Sequence, residues 1–209
     1  MNICYIVGAG DFTPRDFHPE EGDFIIAADG GLRALDELGV KPHLLIGDLD
    51  SLGAYPLPAD VPLEQHPVEK DDTDTGIALM QGYSMGYRDF RLYGCGGGRV
   101  DHLLANFQSM GRMSKMGASI RLIDPAYDAY AITNAALTLP KREQGTTLSV
   151  FCHGDKAEGV TIKGLKYPLD GYTLTSDHPL GVSNQHTHEA AEIAVQNGTL
   201  LIMQFLSPQ

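Results

Sequence analysis

The chain places carboxylates repeatedly where apolar runs end. "LLIGDLDS" (residues 44–51) runs apolar and stops on Asp48 and Asp50. Asp29 closes "DFIIAAD" just before Gly30-Gly31, and Asp11 follows "ICYIV" closely. Asp71, Asp72 and Asp74 stand together in "KDDTDT", and Asp101 follows a glycine-rich turn. Like charges gathered at one rim repel and raise one another's pKa, and a bound divalent cation removes that penalty. Oxygen-only ligands suit Mg²⁺ or Mn²⁺; Mg²⁺ takes one or two carboxylates together with phosphate oxygens and water. "GDLDS" therefore reads as a metal cradle for a phosphorylated substrate. A single Asp at a strand end more simply solvates it and starts a turn; recurrence at one topological edge favours a site.

A second feature is "GCGGGRVDH" (94–102), with four glycines in five residues followed by Arg99. Such a loop lets backbone N–H groups approach a phosphate, and the start of the helix that follows favours an anion. Arg99 would add a charge-assisted contact. The familiar nucleotide signatures are missing. There is no GxxxxGK[ST], and "VGAGDF" lacks the third glycine of GxGxxG, so neither a P-loop NTPase nor a standard dinucleotide enzyme is indicated. His186, His188 and Glu189 in "NQHTHEAAE" do not have the spacing of a zinc helix and read as surface or pocket groups. His66 and His102 carry no decisive signal.

These groups need a scaffold. "ICYIV" (3–7), "DFIIAAD" (23–29), "HLLIGD" (43–48), "FRLYG" (90–94) and "SIRLID" (119–124) read as buried strands. Between them lie helical patterns: Leu32, Leu35 and Leu38 on one face, with Gly39 and Pro42 beyond; a helix from about 75 to 87; and a helix opened by "GGGRVDH", whose inner face is Val100, Leu103, Leu104, Phe107 and Met110. A Pro-rich connection carries Pro56, Pro58 and Pro62. The alternation predicts a mostly parallel α/β sheet with helices on both faces, whose ligands bind beyond the carboxyl ends of the strands. Near residue 130 the character changes to short runs bounded by turn residues. In "EAAEIAVQNGTLLIMQF", Asn197-Gly198 predicts a two-residue hairpin turn. The expected fold class is α/β, with an N-terminal catalytic domain over 1–132 and a C-terminal all-β sandwich over 133–209.

Composition bounds the partners. The 209 residues carry a net charge of −12, so a nucleic-acid backbone would be repelled. The three cysteines, Cys4, Cys95 and Cys152, form neither a disulfide framework nor a CxxC pattern and read as free thiols in a reducing compartment. The N-terminal run "MNICYIVGAG" lacks a basic flank and is short for a signal peptide, and no window reaches the ~18 apolar residues of a membrane span. A soluble cytoplasmic protein with no membrane partner is expected.

Taken in order, "AADGG", "KPHLLIGDLDS", "KDDTDTGIAL", "GGGRVDHLLAN" and "GVSN" resemble the thiamine pyrophosphokinases (thiamine diphosphokinases). The resemblance runs over nearly the whole chain. It implies transfer of the terminal diphosphate of ATP to the hydroxyl of thiamine, giving thiamine diphosphate and AMP, with Mg²⁺ required. It also implies a homodimer with active sites at the subunit interface. On this sequence it implies Asp48, Asp50 and Asp74 as metal and catalytic acids. Asp101 joins them as a catalytic acid, and Asp29, Asp71 and Thr73 line the site. Arg99 falls to nucleotide phosphate, and Ser183 and Asn184 to thiamine. Two departures stand out: Asp72 replaces a Gln of many relatives, and the chain has no Trp, although many relatives carry one in the thiamine pocket. His186 or Tyr172 are the aromatic substitutes this suggests. The alternatives are a related diphosphokinase acting on another alcohol such as a pterin, a metal-dependent phosphohydrolase, and a non-catalytic nucleotide or thiamine sensor.

Overall fold

The computed structural model describes residues 2–47, 52–65 and 72–208. The chain divides into two compact units, residues 1–109 with 122–125, and residues 110–121 with 126–209. No helix among the described residues is long and apolar enough to cross a membrane.

The first unit is built on parallel strands β1 (Ile3–Val7), β2 (Phe24–Ala28), β3 (Leu44–Gly47), β4 (Leu63–Gln65) and β5 (Asp89–Tyr93), with helices α1 (Gly31–Glu37) and α2 (Asp74–Ser84). Helix α3 (Val100–Lys115) and strand β6 (Ser119–Ile123) each pass from one unit into the other. The strand order is β5-β1-β2-β3-β4. From β1 the chain builds outward to β4, then returns to place β5 on the other side of β1. The order reverses between β1 and β5, and it is at such a switch point that an open parallel sheet leaves a crevice. Residues 4–7 of β1 and 25–28 of β2 are buried, as near-continuous apolar runs in a covered parallel sheet must be. β4 was unexpected from its Pro-flanked sequence, yet it pairs parallel to β3 from Leu45↔Leu63 to Gly47↔Gln65.

An aromatic cluster anchors the segment after β1. Tyr93 stacks near Phe12, with centroids 5.4 Å apart, and meets Phe17 edge-on at 5.1 Å. Its hydroxyl donates to Arg15 O at 3.1 Å, and an Arg15 guanidinium nitrogen donates to Asp124 O at 3.0 Å. Buried rings contribute apolar area, and the phenol finds its polar partner at the edge.

The second unit is all-β apart from the end of α3. One antiparallel group runs β12 (Asn184–Gln185), β9 (Thr146–Cys152), β14 (Thr199–Pro208), β7 (Tyr127–Thr133). A separate four-stranded sheet runs β11 (Leu169–Thr175), β10 (Lys156–Lys163), β13 (Ala191–Ala194), β8 (Ala136–Leu139). Both contribute to one core, with Leu148, Val150, Leu200 and Ile202 from the first and Val160, Ile162 and Ile193 from the second. The Asn197-Gly198 signal misleads here. β13 pairs with β10 and β8, whereas β14 pairs with β7 and β9, so the turn passes between sheets instead of closing a hairpin. Gly198 takes φ 121°, and Glu158 N donates to Asn197 O.

The predicted inner face of α3 also needs correction. Val100 and Leu104 are 78% and 58% exposed, and the buried positions are Asn106, Met110, Gly111, Met113 and Ser114, of which only Met110 belongs to the expected face.

Candidate active site

A cleft of about 660 Å³ opens at the β1/β5 switch point of the first unit. Its floor is two loops in backbone contact. Gly8 N donates to Tyr93 O at 2.8 Å, and Gly10 N donates to Gly94 O at 2.9 Å. A Cβ on Gly8 would lie 2.7 Å from Gly94 O, and one on Gly94 would lie 2.5 Å from Gly8 O. Gly94 also sits at φ 60°, in the left-handed region. Both reasons demand glycine here. The sequence signal was present in "VGAG", but the missing third glycine of a dinucleotide fingerprint drew attention away from it.

Above this floor, Gly96, Gly97, Gly98 and Arg99 line one wall. The loop is held from below by Asn106, 6% exposed, whose amide donates to Cys95 O at 2.8 Å. The Cys95 thiol donates to Tyr93 O, and burial pushes its pKa up to about 12, so it stays a neutral packing group. His102 lines the same wall. Asn106 and His102 were not singled out by the sequence, although both lie in "VDHLLAN".

Thr73, Asp74 and Thr75, at the start of α2, also line the cleft. Thr73 is its N-cap, with φ −76° and ψ 157°, and its hydroxyl accepts from Gly76 N at 3.0 Å. That satisfies one of the orphan donors of the first turn. Asp74 lies in that first turn, where a carboxylate is favoured by the helix dipole. Asp29 contributes from the end of β2; it sits at φ 52°, and its Oδ1 is buried.

The expected site residues thus sort into groups. Asp29, Thr73, Asp74 and Arg99 line one cleft. Asp101 neighbours it: its carboxylate pairs with the Arg99 guanidinium at 2.6 Å, and both groups are exposed. The hydrogen bond from Arg99 holds the Asp101 carboxyl at about 2. Asp48, Asp50 and Asp71 lie outside the described residues. Among the described residues, no three His, Cys, Asp or Glu side chains lie close enough together to hold a metal ion. Asp29 and Asp74 offer carboxylate oxygens alone, a donor chemistry that fits Mg²⁺.

Ser183 and Asn184 belong to the second unit. Ser183 is exposed at φ 58°, and its N–H donates to Ser149 Oγ at 3.1 Å. Asn184 is buried and its amide is engaged: Oδ1 accepts from Tyr167 N at 3.0 Å and from Gln185 N at 2.9 Å, while Nδ2 donates to Tyr167 O at 2.7 Å. It clamps both backbone polar groups of Tyr167, whose side chain is 57% exposed. His186 is a core residue, 1% exposed and paired with Gln204 at 3.0 Å, so of the surface and pocket positions expected for it the surface one is excluded.

Comparison with known proteins decides the family. The family model described as "Thiamin pyrophosphokinase, catalytic domain" matches residues 19–122, and that described as "Thiamin pyrophosphokinase, vitamin B1 binding domain" matches residues 135–200. The chain belongs to the thiamin pyrophosphokinase family. It is 27% identical over 213 residues to the thiamine pyrophosphokinase of Bacillus subtilis (strain 168), covering 97% of this chain and 98% of that one. The crystal structure of the Bacillus subtilis thiamine pyrophosphokinase superposes with a TM-score of 0.86 at 25% identity, over 99% of this chain and 100% of that one. The thiamin pyrophosphokinase of Geobacillus thermodenitrificans gives 0.82 at 25% identity, over 98% of each. Family membership covers both the switch-point cleft and the β unit that carries Ser183 and Asn184.

Proposed function

We propose that this chain is a thiamine diphosphokinase that uses ATP and Mg²⁺. The observation that carries this reading is the switch-point cleft, with its glycine floor, Arg99 and two carboxylates, in a chain matched by both family models.

The thiamine hydroxyl oxygen bonds to the β-phosphorus of ATP, and the bond from that phosphorus to the α,β-bridging oxygen breaks. Thiamine diphosphate and AMP leave, and the hydroxyl proton is released. A primary alcohol is a weak nucleophile, so the protein's task is to hold it in line and to neutralise phosphate charge. The glycine loop at 96–98 offers backbone N–H groups, and Arg99 a guanidinium, to the phosphate oxygens. Thr73 fixes the start of α2, whose first turn carries Asp74, and Asp29 lines the same cleft from the end of β2. Asp29 and Asp74, together with Asp48 and Asp50 of "GDLDS", would hold Mg²⁺, and Asp71 shares the "KDDTDT" motif with Asp74. Bound there, the ion would neutralise charge on the triphosphate and its leaving group. Asp101 holds Arg99 in place by its ion pair, which assigns it an orienting role.

On the β unit, Ser183 presents an exposed hydroxyl to thiamine, and Asn184 positions Tyr167. With no Trp in the chain and His186 buried, the exposed tyrosines Tyr172 and Tyr167 remain, and we assign the thiamine rings to Tyr167 because Asn184 holds its backbone; a thiazolium suits a π-face. A cytoplasmic homodimer with its active sites at the subunit interface completes the reading.

The test is incubation with ATP, Mg²⁺ and thiamine, with AMP and thiamine diphosphate quantified and thiamine omitted as control. Equal amounts of both products, appearing only with thiamine, are expected. ADP or phosphate instead of AMP would overturn the reading in favour of a hydrolase. AMP formed only with a pterin alcohol would reassign the acceptor.

A further inference from the structure

In the second unit, β12 is two residues long and lies at the edge of its sheet, where Asn184 pairs with Leu148 and Gln185 with Thr147 of β9. The flanking bonds run to the same strand. Val150 N donates to Gly181 O at 2.9 Å, Ser183 N to Ser149 Oγ at 3.1 Å, and His186 N to Thr146 O at 2.9 Å. Lys166 N donates to Gln185 O, and Asn184 clamps Tyr167, so the corner at 166–167 is joined to this segment. A ladder along one line sets the height of a segment but lets it tilt about that line.

The His186 side chain supplies an anchor off the line. Its ring passes β9 and pairs with the Gln204 amide of β14 at 3.0 Å, with His186 1% and Gln204 0% exposed. Gln204 is itself fixed on both sides, in register with Leu148 of β9 and Asp128 of β7. The pair is costly. Among the described residues, His186 Nδ1, Gln204 Oε1 and Thr146 Oγ1 are buried without a hydrogen-bond partner. Apolar side chains of similar shape would avoid that penalty, as Leu148, Val150 and Ile202 do in the same core. What the polar pair adds is direction: a buried hydrogen bond fixes one orientation where apolar packing tolerates several. A core that breaks the apolar rule at such a cost does so where function asks for it.

We propose that the His186–Gln204 pair is a positioning device for the acceptor substrate: His186 sets the tilt of residues 183–186, and through it the Ser183 hydroxyl and the Tyr167 ring, without touching thiamine. This rests on the diphosphokinase reading above.

His186→Phe and Gln204→Leu are each expected to raise the KM for thiamine about tenfold, the scale of one hydrogen bond, with kcat and the KM for ATP unchanged. Simple loss of folded protein would lower kcat and leave both KM values alone. The double variant separates positioning from stability. Each single change strands a buried polar partner and the double change strands neither, so the double variant is expected to melt above both singles. Its KM for thiamine is expected to stay raised, because the anchor is still missing. His186→Gln, which keeps a polar group able to meet Gln204, is expected to hold the KM near that of the unsubstituted protein. A KM for thiamine that returns to normal in the double variant, or that changes in none of them, overturns the proposal. Should His186→Phe not fold, Gln204→Leu and the double variant carry the same comparison. Formation of thiamine diphosphate and AMP by the unsubstituted protein distinguishes the two failures. If those products form and the KM for thiamine ignores the pair, only the positioning role is wrong. If they do not form, the reaction assignment is wrong, and amide hydrogen exchange of residues 182–186 in Gln204→Leu still decides the anchor: faster exchange supports it, and exchange at the rate of the unsubstituted protein overturns it.

Discussion

The Asn106 amide donates to the Cys95 carbonyl at 2.8 Å, joining the buried face of α3 to the glycine loop that walls the candidate site. Together with the Gly10 N–Gly94 O bond it holds the loop that leads to Arg99. Asn106→Leu removes it and leaves the Cys95 carbonyl without that donor, which costs about 1–3 kcal/mol. The expected result is a lower melting temperature together with a raised KM for ATP. A variant that melts earlier but keeps the wild-type KM would show that the loop holds its shape without Asn106.

Thr73 makes a second such link, because the residue that caps α2 also borders the cleft. Thr73→Ala is expected to cost about 1 kcal/mol of stability through the lost cap, and to lower kcat by misplacing Asp74. Thr73→Ser keeps a capping oxygen and is expected to restore both. Urea denaturation alongside steady-state kinetics would decide; a serine variant no better than alanine would rule out the capping role.

The parallel half of this fold could be read from the sequence because its strands are short apolar runs between turn residues. Cys4–Val7 and Ile25–Ala28 are buried on both faces, so nothing polar interrupts the pattern. The inner face of α3 could not be read in the same way. Asn106 is buried because its amide has a partner on a distant loop, and Val100 is exposed despite its apolarity. Hydrophobic periodicity sees neither fact. The Asn197-Gly198 turn shows a different limit: local turn chemistry predicts a reversal, but partner choice belongs to the sheets, and β13 and β14 join different ones. That Asp29, Thr73, Asp74 and Arg99 gather at one cleft was legible because each stands at a strand end or helix start, and the switch point brings those ends together. The surface position for His186 could not be excluded from sequence because its burial depends on Gln204, eighteen residues away on another strand.

Asp74 tests the charge argument. Asp74→Asn keeps the shape of the cleft wall and removes one carboxylate. Turnover is expected to fall on the order of 100-fold, the scale seen when one preorganised electrostatic group is lost, with the melting temperature nearly unchanged. Raising Mg²⁺ is expected to recover part of the loss. Near-normal turnover at low Mg²⁺ would remove Asp74 from the proposed metal site.

The last expectation concerns acid. Burial lowers the pKa of His186, and the Arg142 charge lowers it further. Asp128 on β7 pairs in register with Gln204, the partner of His186, and this buried carboxylate is already shared by Arg121 at 2.8 Å and Arg142 at 3.8 Å. His153 is shifted the same way, by burial and then by Lys115. In the unfolded chain both imidazoles take up a proton near 6.5, while the folded chain resists it. Between the folded and unfolded values the unfolded state binds more protons, so stability rises with pH there and falls as the solution is acidified below about 6.5. Melting temperatures recorded from roughly pH 7.5 to 5 are expected to decline through this window. His186→Gln should remove part of the decline and leave the share of His153, and His153→Gln the reverse. A His186→Gln profile with the full wild-type slope would mean that its protonation is not coupled to folding.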